Sequence, residues 1–215
     1  MSSISIYSSP NFHLSKYFMA EITAELVRTL RQKTNAGMME CKGALKEAEG
    51  DLEKAETILR KKGTIKAEKK ADRQAKEGII HSYIHLAGRI GVLIEVNCET
   101  DFVAKNENYR SFVNDICLHI AAANPTYLSR EQVPAELIAN EREIAAEMMK
   151  GKPANVVDKI VDGKMSKFYA DFCLLEQAFI KNPDTTITDL VKSKIAELGE
   201  NIIVRRFTRY ALGGE

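Results

Sequence analysis

The sequence predicts an α+β protein: a three-helix amino-terminal bundle, then a small antiparallel sheet domain with packed helices. Three observations carry the prediction. Apolar residues recur at helical spacing from Ile22 to Leu59. The period switches to two at Gly78. A third strand-like segment then waits until Asn201–Leu212, with helical sequence between.

In the first helix Ile22, Leu26, Val27 and Leu30 form one stripe, opening at Met19-Ala20-Glu21-Ile22 and closed by the turn Thr34-Asn35-Ala36-Gly37. Met38, Cys41, Leu45 and Ala48 form a second stripe, ended by Gly50. Asp51 is placed to N-cap a third helix with core face Leu52, Ala55, Ile58 and Leu59 and a stop at Gly63. These helices define a domain over 19–64. Residues 65–77 follow as a charged linker, in which Glu68, Asp72 and Glu77 alternate with lysines and arginine. The third domain is 78–215. Residues 1–18, rich in serine and aromatics, are read as an extension, disordered or a misassigned start, rather than an organellar leader.

Within the third domain Ile80, Ser82, Ile84 and Leu86 alternate with Ile79, His81, Tyr83 and His85, which is strand periodicity. Ala87-Gly88-Arg89 makes a tight connection to a second strand, Ile90–Cys98, apolar on both faces around Val92, Leu93, Ile94 and Val96. Helices are expected at Tyr109–Ala123, Pro134–Lys150, Pro153 to about Gln177 and Asp184–Leu198.

Charge and motifs exclude more than they assert. With 31 basic and 30 acidic residues the net charge is +1, against the basic excess typical of proteins that grip nucleic acid. Cys41, Cys98, Cys117 and Cys173 are scattered without a CxxC pair, so they read as small apolar residues in a reducing, cytoplasmic compartment. No apolar run is long enough for a membrane span. His81 and His85 share a strand face without carboxylate partners, and His13 and His119 have no evident partners. There is no GxSxG, GxxxxGK[ST] or HExxH motif, and no catalytic residue, metal or cofactor is expected.

The informative stretch is Asn97 to Ala104, which leaves a buried strand and enters a polar helix through Lys105-Asn106-Glu107. Thr100 or Asp101 is placed to cap that helix, and Phe102 falls at the strand-to-helix corner. Pattern alone favours Phe102 packing beneath the corner as a core residue. The other reading is an exposed aromatic anchor on a rigid mount.

Four separated blocks, in order, carry a resemblance that covers almost everything after Met19: MAEITAELVRTLRQKTNAGMMECKGAL, VNCETDFVAKN, GKPANVVDKIVDGKMSKFYADFCLLEQAFIKNP and IIVRRFTRYALG. Together they resemble the bacterial elongation factor Ts family. The first block resembles its ubiquitin-associated-type helical domain. One departure is Ala178, where the family's LLEQ-Pro-Phe form carries proline.

The resemblance implies a nucleotide exchange factor that releases GDP from elongation factor Tu without covalent chemistry of its own. It implies that Thr100, Asp101, Phe102 and Val103 dislodge the GTPase's magnesium ion, with Phe102 wedged between GTPase helices. A second docking surface is expected at the turn after the first helix, from Arg31, Gly37, Met38 and Met39. At least one of Leu30 and Met38 is expected in the core. The chain resembles a short form with one copy of the α/β unit, and such a chain is expected to pair through its sheet as a homodimer. The competing reading is an RNA-binding, ribosome-associated protein that uses Lys61, Lys62, Lys66, Lys69, Lys70 and the arginines near the carboxyl terminus. Arg205, Arg206 and Arg209 could equally serve dimer, partner or solvent.

Overall fold

A computed structural model describes residues 22–34, 36–149 and 154–214. The expected extension over 1–18, the opening at Met19 and the turn residue Asn35 lie outside them.

Helices α1 (Ala24–Thr34), α2 (Met38–Glu47) and α3 (Leu52–Glu68) close on a small core of Val27, Leu30, Cys41, Ala44, Leu45, Ala55 and Leu59. Leu30 is buried, whereas Met38 is half-exposed and leaves the expected α2 stripe to Cys41, Leu45 and Ala48. The Asp51 carboxylate accepts the main-chain N–H groups of Glu53 and Lys54, both at 3.0 Å. Such a cap contributes about 1 kcal/mol.

The stop expected at Gly63 does not operate, because α3 runs on to Glu68. Glycine inside a helix costs about 1 kcal/mol relative to alanine. Here Gly63 faces helix α8 (Ile187–Leu198), and a Cβ would stand 3.7 Å from that of Ala196. Close packing of the two helices offsets the backbone cost. Ala67, in the segment read as linker, is buried in the main core.

The main sheet is antiparallel in the order β1 (Glu77–His85), β2 (Ile90–Cys98), β5 (Ile203–Ala211). Val92, Ile94, Val96 and Cys98 point inward. They share a core with Tyr109, Phe112, Val113, Ile116 and Ile120 of helix α5 (Glu107–Ala123). The register of β2 on β5 shifts between Glu95 and Val96, leaving Arg205 as the extra residue of a bulge. The opposite face of β2 is open: Leu93, read as buried, is half-exposed.

The helix expected to start at Tyr109 begins at Glu107. A separate short helix, α4 (Asp101–Lys105), precedes it. Asn106 makes the break, since its extended backbone ends α4 while its side chain accepts the Asn108 N–H at 2.8 Å. Helices α6 (Ala135–Glu147) and α7 (Ala154–Phe172) pack around Val133, Ala145, Val161, Met165, Tyr169 and Cys173. Pro134 stands just before α6; the expected boundaries Lys150 and Pro153 lie outside the described residues. A 3-10 turn, Leu174–Glu176, replaces the last turn expected of α7. A two-stranded hairpin, β3 (Ala178–Phe179) with β4 (Asn182–Thr186), was not foreseen and takes the place of the expected start of α8 at Asp184. Ala178 opens β3.

Candidate functional site

The corner between β2 and α4 is assembled from its backbone upward. Thr100 is the N-cap of α4: its backbone is extended and its hydroxyl oxygen accepts the Val103 N–H at 3.5 Å. Asp101 is exposed in the first turn, where a carboxylate suits the helix dipole, and it accepts a 2.7 Å bond from Lys105 one turn on. That ammonium group holds the Asp101 carboxyl below its usual range. Val103 is half-buried against the main core, and Ala104 is buried within it. Phe102 is 82% exposed. The pattern-based expectation that it packs beneath the corner is therefore not met. Its neighbours Val103 and Ala104 face the core, so the corner projects Phe102 outward.

A second segment holds the corner from behind. One oxygen of Glu200, just past the α8 cap at Gly199, accepts the N–H groups of Glu99 (3.1 Å) and Thr100 (3.0 Å). The other accepts the Thr100 hydroxyl at 2.6 Å. In return the Glu99 carboxylate accepts the Asn201 N–H at 2.7 Å, and Asn201 donates its amide to the carbonyls of Ala71 and Arg73 beyond α3. Sequence reasoning missed Glu200, Glu99 and Asn201. Half the chain separates the two segments, and no local spacing signals their meeting.

The second expected surface is also exposed. Arg31 lies in the last turn of α1, Gly37 caps α2 with an extended backbone, and Met38 and Met39 open α2 at 48% and 78% exposure. Arg31, Gly37 and Glu40 line a broad cleft of about 1160 Å³ between the bundle and the α8 side of the core, with Asp184 and Lys192 across it.

Other candidate groups are internally satisfied. His81 approaches the Asn114 side-chain amide oxygen at 3.4 Å, and His85 bonds the Tyr83 hydroxyl at 3.0 Å. His119, read as lacking partners, is buried between Gln177 and the main-chain N–H of Ile180. The four cysteines are buried and unbridged, and burial pushes their thiols up, Cys117 to about 12. Among the described residues no group of His, Cys, Asp and Glu could hold a metal ion, and no helix is long and apolar enough to cross a membrane.

Much of the basic surface that would favour RNA is already engaged. Lys62 and Lys66 pair with Glu47 and Glu40, and Lys70 donates to the Gly199 carbonyl. Arg206 pairs with Glu95 at 2.7 Å, and Arg209 donates to the Ala121 carbonyl. These contacts give two of the three arginines internal roles, and the RNA reading is not favoured.

Comparison with known proteins agrees with the four sequence blocks. The profile of the family described as Elongation factor TS matches residues 15–214. The chain is 58% identical over 194 residues to the Elongation factor Ts of Carboxydothermus hydrogenoformans, covering 89% of each chain. It is 57% identical to that of Caldanaerobacter subterraneus subsp. tengcongensis, covering 89% of this chain and 97% of the relative. It is 55% identical to that of Thermodesulfovibrio yellowstonii, covering 89% and 96%. A family profile spanning nearly the whole chain, and relatives this similar over this length, show that the chain belongs to the elongation factor Ts family.

Proposed function

We propose that the corner formed by Thr100, Asp101, Phe102 and Val103 dislodges magnesium from elongation factor Tu and so releases its GDP. As a member of its family the chain is a guanine nucleotide exchange factor for that GTPase in translation elongation. The observation that carries the corner assignment is Phe102, 82% exposed on a capped turn whose next two residues, Val103 and Ala104, pack on the core. An aromatic side chain in water at a fixed position is the kind of anchor that dominates a binding interface.

The energetics constrain the mechanism. A partner that weakens nucleotide binding must bind the empty GTPase more tightly than the loaded one by the same factor. Lowering nucleotide affinity about 10⁴-fold takes roughly 5.5 kcal/mol of differential contact. Magnesium is the efficient target, because it demands near-octahedral geometry and relies on few protein ligands. Phe102 wedged between GTPase helices would shift the segments that hold the ion. Asp101 would exchange its exposed bond to Lys105 for polar groups of the partner, at small cost because both groups are solvated. This reading assigns no bond-making step to the chain, no cofactor and no direct contact with nucleic acid. It locates the chain in the cytoplasm, where its partner works in translation.

Arg31, Gly37, Met38 and Met39 form the second contact in this reading, supported by two exposed methionines beside a glycine. Methionine adapts its shape to an apolar partner surface. The chain acts as a homodimer joined through the open sheet face. Supporting this, Ile80, Ile84, Leu93 and Tyr210 lie on one face at 68%, 66%, 49% and 71% exposure. In register, Ile84 lies opposite Gly91 and Gly91 opposite Tyr210, with Leu93 two residues further along β2. An apolar patch of this kind marks an association surface, and a twofold axis would cover it with its own copy.

The magnesium step is tested by measuring stimulated GDP release from elongation factor Tu with magnesium present and with it chelated. Chelation is expected to shrink the acceleration, since the ion is already gone. An equal acceleration in both conditions would overturn the magnesium route.

A further inference from the structure

A five-residue helix has no stability of its own, because nucleation costs more than so short a segment returns. Yet α4 carries the exposed side chain on which the proposed function depends. Its order must come from outside, and two sources are visible. Val103 and Ala104 anchor its inner face, and Thr100 caps its first turn. The cap is itself held in place. The Thr100 hydroxyl donates to Glu200 at 2.6 Å, which leaves its lone pairs turned to the Val103 N–H. The Thr100 and Glu99 N–H groups both end on the other Glu200 oxygen. One carboxylate therefore collects three donors from the corner, and charge-assisted bonds of this type are stronger than neutral ones.

The position of this contact matters. Main-chain pairing of β2 with β5 ends at Asn97 and Ile203. Beyond it the two segments are joined through side chains, with Glu200 on Glu99 and Thr100, and Glu99 on Asn201. The reciprocal clasp thus extends the strand pair by one step, up to the residue before α4.

We infer that Glu200 is a positioning residue for nucleotide exchange, locking the Thr100 cap so that Phe102 meets the GTPase on a pre-ordered corner. This rests on the reading of Phe102 as the wedge. Glu200 does not touch the partner in this account. It removes an ordering cost that a loose corner would meet when the wedge inserts. The initial encounter, through the methionines of α2, is left as it was.

The test compares full-length wild type with Glu200→Ala, Glu200→Gln, Thr100→Val, Thr100→Ser and Phe102→Ala. GDP release from elongation factor Tu is followed across a range of exchange-factor concentrations. Glu200→Ala is expected to lower the saturating rate about three- to tenfold, with the half-saturating concentration little changed. Glu200→Gln is expected to lose less, because its one remaining acceptor can still take the two main-chain N–H groups. Thr100→Ser is expected to retain the rate that Thr100→Val loses. Adding Glu200→Ala to Thr100→Val should cost less than the product of the two, since both break one contact.

Melting curves for each variant separate a local effect from loss of fold. If Glu200→Ala is too unstable, the Glu200→Gln and Thr100→Val pair decides. A wild-type saturating rate for the Glu200 variants, beside a slow Phe102→Ala, would overturn the positioning role and spare the wedge. A wild-type rate for folded Phe102→Ala would overturn the wedge itself.

Discussion

The Tyr109 hydroxyl donates a 2.7 Å hydrogen bond to the main-chain carbonyl of Val96, deep in the core. Val96 is the β2 residue at the bulge, two residues before the strand ends at Cys98. The bond ties α5 to the strand that leads into the corner before α4. Burial pushes the Tyr109 phenol well above its usual range, so it stays a neutral donor. Tyr109→Phe should keep the packing and lose the bond, at a cost of about 1–3 kcal/mol from the unsatisfied carbonyl. Chemical denaturation of the purified variant measures this.

Gly78 also packs closely against this carbonyl. Its φ is +140°, and a Cβ there would lie 2.2 Å from the Val96 oxygen and 2.7 Å from the Cα of Asn97. Backbone atoms on both counts leave no flexible neighbour to yield. Gly78→Ala is expected to destabilise by about 2–5 kcal/mol through strain and overpacking together. A melting temperature equal to wild type would contradict the close approach.

A pH dependence follows from His119. Gln177 donates its amide to the Asp171 carbonyl at 2.8 Å, which turns its oxygen to His119 Nε2 at 2.9 Å. Nε2 therefore carries the proton, and Nδ1 accepts the Ile180 N–H at 3.3 Å. A second proton would set Nδ1–H against that N–H. Burial, opposed in part by the Gln177 bond, lowers the imidazole from its ordinary 6.5. The unfolded chain then takes up a proton on this group that the folded chain refuses. The stability contribution is complete above about pH 6.5 and is lost as pH falls from there through the lower folded-state value. Thermal unfolding between pH 7.5 and pH 5 should show a steeper loss for wild type than for His119→Gln. Equal slopes would count against it.

The open sheet face makes its own prediction. Leu93 lies at the centre of that face and is half-exposed, so Leu93→Glu should leave the monomer folded. In the dimer it would bury an unpaired charge next to its symmetry mate, and association should weaken by several orders of magnitude. Light scattering on the eluted protein distinguishes the outcomes. A wild-type mass for Leu93→Glu, or a monomeric wild type, would remove the dimer from the account.

Much of the fold was legible because burial imposes periodicity. Leu30, Cys41, Leu45, Ala55 and Leu59 lie where their helical stripes put them, and Asp51 caps α3 as its position before Leu52 implied. The helix end at Gly63 was not legible, since the partner that keeps the glycine helical is Ala196, far along the chain. The β3–β4 hairpin escaped because its strands are short and mostly polar, with Phe179 the one buried residue. In the candidate site, the cap was legible as Thr100 or Asp101, and the cap is Thr100. Phe102 did not declare its exposure, because a pattern places apolar residues inside by default and only the direction of the corner overrides it. Glu200 could not be found from local spacing at all.

In the proposed mechanism, nucleotide release turns on Phe102 entering the GTPase as a wedge. The most direct measurement is release of a fluorescent GDP analogue from elongation factor Tu by wild type and Phe102→Ala. An unchanged melting curve would show that the variant is folded, as expected for a side chain 82% exposed. The saturating rate of the variant is expected to fall about tenfold or more, the scale of losing an aromatic anchor that an interface buries. Wild-type acceleration by a folded Phe102→Ala protein would contradict it.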